Sequence, residues 1–389
     1  MTLAGDARRP TRGWTQRLAG ATVATSSLVL LLQERVSGAA VSGQNNAVIV
    51  PALAVLAVGV AILVRASARH SLARLLGDVT PIVLIVLLSV GRGDMTEMFR
   101  YLLTYALAVA WLRLLDHAGG PLGRRPVAAL VLRTVLITGV AMGIAWPTDG
   151  RVSGFSATSP TLFAYVLLVA GTGLAAWSRS RWDYALVALA LPFLVAAQSR
   201  SSTAVALLLV LLGLTRPIFR RRTPASAAAG LLVALVAIGG VATATYSGLV
   251  GGLPSVEALS TVWREGSQES TATRLGFYRV IVSEMDAVTL FFGGGAGHGF
   301  ELVSDRLGRR VPPHLDSLTL LVDFGLLALG TLAVAAAARF VRRPPSAGQL
   351  AVAFVYLASG QLHNVLFSPL AVVATVTAWH LARARQPRG

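Results

Sequence analysis

Apolar runs of bilayer-crossing length follow one another along this chain and leave few folds open to it. Read between charged residues, turn residues and Pro/Gly punctuation, they lie near 18–32, 46–64, 74–90, 98–115, 127–146 and 159–177. Six more lie near 182–198, 201–215, 226–246, 315–338, 347–363 and 367–382. Each approaches the roughly 17 to 25 residues that cross a hydrocarbon core as helix, whereas transmembrane barrels carry shorter, alternating segments. Charged residues make up 13% of the chain, about half of what a soluble domain carries. The expected fold is all-α: a polytopic integral membrane protein of about 12 transmembrane helices.

The formal net charge of +17 does not point to nucleic acid, because the basic residues are all Arg and cluster between apolar runs. They set orientation instead. With the N terminus inside, the cytoplasmic segments hold 22 arginines, from Arg8 and Arg9 to Arg385 and Arg388. The short outer segments hold Arg35, Arg92, Arg100, Arg151 and Arg200. An error of one span would reverse the alternation downstream, so count and orientation support each other, with both termini in the cytoplasm. The basic start before a hydrophobic stretch reads as an uncleaved first span rather than a signal peptide, since no clear small-residue cleavage site follows. With no Cys in the chain, disulfides, thiolate metal sites and a cysteine nucleophile are excluded, and no His/Asp/Glu spacing suits a metal.

Three regions follow: a membrane bundle of about nine spans over 1–246, a polar extracytoplasmic segment over 247–314, and about three further spans with a cytoplasmic tail over 315–389. A segment as long as 247–314 usually carries function. Within it Leu275, Tyr278, Val282, Met285 and Thr289 recur at helical spacing opposite Arg279, Glu284 and Asp286, which predicts an amphipathic helix lying at the membrane surface.

Three groups of residues are candidates for chemistry. His314, in Pro312-Pro313-His314-Leu315-Asp316, falls in the first turn of a predicted span, where the helix dipole disfavours protonation and keeps an imidazole able to accept a proton. It is either a base for an acceptor hydroxyl or an interfacial His that hydrogen-bonds a loop. Arg200 in the Ser199-Arg200-Ser201 turn, with Arg274 and Arg279 in the outer segment, match phosphate oxygens two-pronged; the alternative for each is snorkelling to headgroups. The stretch Phe291-Phe292-Gly293-Gly294-Gly295-Ala296-Gly297-His298 has glycines, Gly295 and Gly297 among them, that let backbone amides approach a phosphate or sugar, with a flexible turn as the default. Elsewhere Arg133 is expected to snorkel, Asp78 to pair with Arg74, and Asp94 and Glu97 to sit in a solvated loop beside Arg92 and Arg100.

In order, these pieces resemble the O-antigen ligase and O-antigen polymerase family. The resemblance runs from about 150 to 330 through Gly154 to Thr161, Ser199-Arg200-Ser201, Arg274 to Tyr278, Leu290 to Gly297, His314 to Leu318, and Asp323-Phe324-Gly325-Leu326-Leu327. Thr161 and Leu315 stand where the family commonly has Asn, and Asp316 is the residue that would then orient His314. The resemblance implies transfer of a glycan from a polyprenyl-diphosphate-linked donor to a sugar hydroxyl or other hydroxyl acceptor, with no metal and no cofactor. Arg200, Arg274 and Arg279 would hold the diphosphate and His314 would take the acceptor proton, inverting the anomeric centre. Competing readings are a transporter or lipid flippase, which would carry mid-span charges and internal repeats, and a non-catalytic envelope-assembly protein.

The orientation is testable with a single cysteine replacing Ser267. A membrane-impermeant thiol reagent is expected to label it from outside intact cells; labelling only after the inner face is opened would overturn the topology.

Overall fold

The computed structural model describes residues 91–118, 124–145, 147–148, 151–152, 160–178, 180–197, 199–215, 280–307, 316–342, 344–360 and 368–383, together with 81, 83–89, 154 and 365. The spans expected near 18–32, 46–64 and 226–246, the Asp78–Arg74 pair and most of the outer segment lie outside these residues.

The described chain is almost wholly helical. Its helices are α1 (Met95–Ala118), α2 (Arg124–Ala145), α3 (Pro160–Trp177), α4 (Arg181–Ala196), α5 (Arg200–Thr215), α6 (Ala287–Phe292), α7 (His298–Leu307), α8 (Asp316–Arg342), α9 (Ala347–Ala358) and α10 (Pro369–Leu381). Among the described residues the exception is a two-residue antiparallel pair, Pro147–Thr148 with Arg151–Val152, between α2 and α3. Among the described residues four stretches are long and apolar enough to cross a membrane: Met95–Leu115, Pro126–Ala145, Pro160–Trp177 and Asp316–Val334.

Helix α3 is the axis of the bundle. Twelve residues between Leu162 and Leu174 are buried on every side of it, the pattern of a helix enclosed by others rather than one facing solvent. It packs against α2, α4, α9 and α10. At its crossing with α10, a Cβ on Gly173 would lie 2.6 Å from the Cβ of Ala378, so the small residue permits the backbones to approach. Polar side chains then tie α10 in place: the Tyr165 and Thr375 hydroxyls are 2.8 Å apart, joining it to α3, and the Trp111 indole N–H of α1 donates to Thr377 Oγ1 at 2.8 Å. The outer helices keep an apolar outer surface as well. On α2 the exposed Leu130, Ile137 and Ile144 repeat every seven residues while Leu132, Val135 and Leu136 face inward, as expected of a helix between lipid and protein.

Helix starts follow local chemistry. Ser346 opens α9 with a capping box shared with Gln349, and Ser368 accepts from the Ala371 amide ahead of Pro369 at the start of α10. The close pair of spans around Ser199 is two helices, α4 and α5, with Ala197 and Ser199 outside both.

Two expectations are corrected. Arg133 does not snorkel: its Nε and Nη2 donate to the two carboxylate oxygens of Asp183 at 2.7 and 2.8 Å, and Ser178 Oγ donates to the same carboxylate. The pair clamps α2 to α4, and a carboxylate partner in reach outweighs the entropy of a free arginine. The described end of the amphipathic segment is also not one helix. Residues 280–284 are helical, Met285 and Asp286 are not, and α6 begins afresh with Asp286 accepting from the Thr289 amide. The buried face there belongs to Ile281, packed with Val303 and Val322; Met285 packs against them as expected, while Val282, expected on the same face, is exposed.

Replacing Asp183 by Ala removes both partners of a half-buried guanidinium. Thermal unfolding of the purified protein in detergent should show a loss of about 1.5–3 kcal/mol, nearer the lower figure because Arg133 keeps solvent contact. An unchanged midpoint would return Arg133 to the snorkelling class.

Candidate functional site

The glycines of the glycine-rich stretch lie in a largely buried, hydrogen-bonded turn. Its geometry is set by a break in α8 at Gly325, whose φ of 75° and ψ of 171° depart from helix. In an unbroken helix the carbonyls of Val322 and Asp323 would accept from the amides four residues on. Here they accept instead from Gly294 at 2.8 Å and Gly295 at 2.9 Å. A side chain at Gly325 would lie 2.4 Å from the Phe291 carbonyl oxygen, so the break and the stretch that repairs it require glycine where they meet.

The side chain of Asp323 completes this junction. It is fully buried and accepts three hydrogen bonds, from Tyr101 Oη at 2.8 Å, the Gly297 amide at 2.9 Å and the Gly299 amide at 2.9 Å. The Tyr101 ring meets Phe324 edge to face with centroids 4.9 Å apart. The stretch is held from its other side by the start of α1. The Asp94 amide donates to the Ala296 carbonyl at 2.7 Å, Ser89 Oγ accepts from the Ala296 amide at 3.3 Å, and a Cβ on Gly297 would lie 2.9 Å from Glu97. Asp94 caps α1 through the Thr96 amide. Glu97 is not in a solvated loop: its side chain is buried and bonded to Arg100 at 3.0 Å.

Gly295 and Gly297 therefore sit in a built element, with φ of 98° and 89° that only glycine adopts readily. Their amides point to Asp323, so neither is directed at an incoming phosphate or sugar. At the rim, His298 opens α7 with Nδ1 3.6 Å from Glu301. Hydrogen bonding from Thr289 holds the carboxyl of Asp286 below the usual range.

A second cluster gathers at the end of α9. Asp316, first residue of α8, is buried and accepts from Tyr356 Oη at 3.4 Å. One turn further along, Ser359 Oγ is 2.8 Å from Ser202 Oγ, which in turn accepts from Ser199 Oγ at 2.9 Å. Ser199 and Ser202 flank Arg200. The starts of α5 and α8, 116 residues apart in sequence from Arg200 to Asp316, thus meet one end of α9. At the opposite end Ser346 Oγ donates to the Ala382 carbonyl at 2.5 Å, joining the start of α9 to the end of α10.

Of the residues singled out from sequence, Asp316, Gly295 and Gly297 are described, Arg200 is described as the first residue of α5 without its side chain, and His314, Arg274 and Arg279 lie outside the described residues. Among the described residues no group of three His, Asp or Glu side chains suits a metal. Sequence reasoning passed over Asp323 as the organiser, although an ionisable residue within a spanning helix is itself a signal. Tyr101 and Ser359 carried no such signal, because their partners lie 222 and 157 residues away. No protein-family model matches the chain, and no curated protein matches it.

Asparagine at 323 would keep the shape but replace one accepting oxygen by an amide donor facing another donor. Asp323→Asn should lower stability by about 1–3 kcal/mol and speed hydrogen exchange across 293–301, while Tyr101→Phe, which leaves both amides bonded, should cost about 1 kcal/mol. Unchanged exchange in Asp323→Asn would mean that the carboxylate does not hold the stretch.

Proposed function

We propose that this chain transfers a glycan from a polyprenyl-diphosphate-linked donor to a hydroxyl acceptor at the outer face of the cytoplasmic membrane, in the manner of an O-antigen ligase or polymerase. It does so as a protein of about 12 spans with both termini in the cytoplasm. The observation that carries the reading is the meeting of two parts of the sequence resemblance at one end of α9. Tyr356 bonds Asp316, two residues after His314, and Ser359 bonds Ser202, two residues after Arg200. The alternation of arginine-rich segments assigns these helix ends to the same, outer face.

On this reading each step follows from side-chain chemistry. Arg200, Arg274 and Arg279 bind the diphosphate and stabilise the negative charge that grows on it as the leaving group departs. His314 accepts the proton of the acceptor hydroxyl, the hydroxyl oxygen forms a bond to the anomeric carbon, and the electron pair of the breaking carbon–oxygen bond leaves with the lipid diphosphate. Direct displacement inverts the anomeric centre. Asp316, fixed by Tyr356, stands close in sequence to His314 and serves to orient it.

Purified protein in liposomes with a polyprenyl-diphosphate-linked glycan and an acceptor glycan tests this. His314→Gln should insert normally and bind donor, yet transfer about a hundred- to ten-thousand-fold more slowly. Arg200→Lys should also be impaired, because an ammonium lacks the planar two-pronged donor. Near wild-type transfer by His314→Gln would overturn the base assignment. Movement of the lipid-linked glycan across the bilayer without transfer would favour the transporter reading.

A further inference from the structure

Helix α6 has no buried residue and presents Val288, Phe291 and Phe292 outward, each about half exposed. A soluble loop rarely leaves adjacent aromatic and branched side chains in water without a partner. The position of α6 suggests what covers them. Its last turn packs on the Gly325 break, at the middle of the Asp316–Val334 stretch that is long and apolar enough to cross a membrane. Just past that break, Leu326 and Leu327 of the spanning stretch are exposed too, continuing the apolar surface. The neighbouring α7 differs, since its exposed positions include Glu301 and Asp305.

Irregular backbone survives at membrane depth when its polar groups are satisfied within the protein. The amides of the turn after α6 meet that condition. The amides of Gly293, Gly294, Gly295, Ala296, Gly297 and Gly299 all donate inside the protein, to Thr289, Val322, Asp323, Ser89 and the Asp323 carboxylate.

We propose that α6 and the glycine turn after it form a re-entrant element set into one leaflet, with Val288, Phe291 and Phe292 in contact with the hydrocarbon chains of bilayer lipid. This rests on membrane residence and not on glycan transfer, so the two fail separately.

The chain has no cysteine, so single substitutions Val288→Cys, Phe291→Cys and, as the aqueous comparison, Asp305→Cys can be coupled to a polarity-sensitive fluorophore in detergent. The labelled proteins are then returned to phosphatidylcholine vesicles with or without nitroxide-bearing acyl chains. At 288 and 291 the emission should be blue-shifted and quenched several-fold more by the nitroxide chains than at 305, with little quenching by aqueous iodide. Iodide quenching at both positions as strong as at 305 would overturn the proposal. So would protection from both quenchers, which would mean that another part of the protein covers the face. Using two positions on the same face keeps the test open if one variant fails to reconstitute.

Discussion

A carboxylate buried in the wall of an apolar helix has few ways to exist. Leaving water costs several kcal/mol unless donors replace the lost hydration, and the low-dielectric surroundings that raise this cost also strengthen the replacing bonds. Asp323 meets the condition with three donors from two distant parts of the chain: a tyrosine on α1, and the amides of Gly297 in the glycine-rich turn and Gly299 at the start of α7. Its own backbone carbonyl, released by the break at Gly325, takes a fourth. The break, the turn and α1 are therefore parts of one arrangement, since removing any of them leaves polar groups without partners.

The second cluster, at the end of α9, works on the same principle with weaker groups. Serine hydroxyls and a tyrosine link helices whose surfaces are otherwise apolar, and such contacts fix rotation and register more than they add stability. Two hydrogen bonds one turn apart on α9 are enough to fix the starts of α5 and α8 relative to each other. A site assembled this way has its geometry set by helix ends, which are more rigid than loops.

The fold was largely legible in the sequence because hydrophobic length is a local property. Eight expected spans coincide with helices to within a few residues; the one near 347–363 is shorter, as α9 stops at Ala358. The reading failed where partners are distant. Arg133 was judged by its depth in its own span, although what decides its conformation is Asp183, 50 residues on. The glycine-rich turn was judged by composition, which says that it can bend but not what it bonds to. The residue that organises it was in the quoted Asp323-Phe324-Gly325 stretch all along, where the glycine explains the break and the acid explains why the break is stable. The amphipathic segment shows a different limit, since Met285 packs inward as its spacing implies whereas Ile281 rather than Val282 takes the buried place one turn before it.

The long reach of these contacts bears on how the protein is made. Membrane helices enter the bilayer in order of synthesis, and Tyr101, Trp111 and Ser202 are made 222, 266 and 157 residues before the Asp323, Thr377 and Ser359 they bond. Until those later helices are made, the Tyr101 hydroxyl and the Trp111 indole N–H await partners not yet translated. The two clusters close only when α8 and α9 have arrived, so their geometry is a property of the assembled bundle and not of the helices made first.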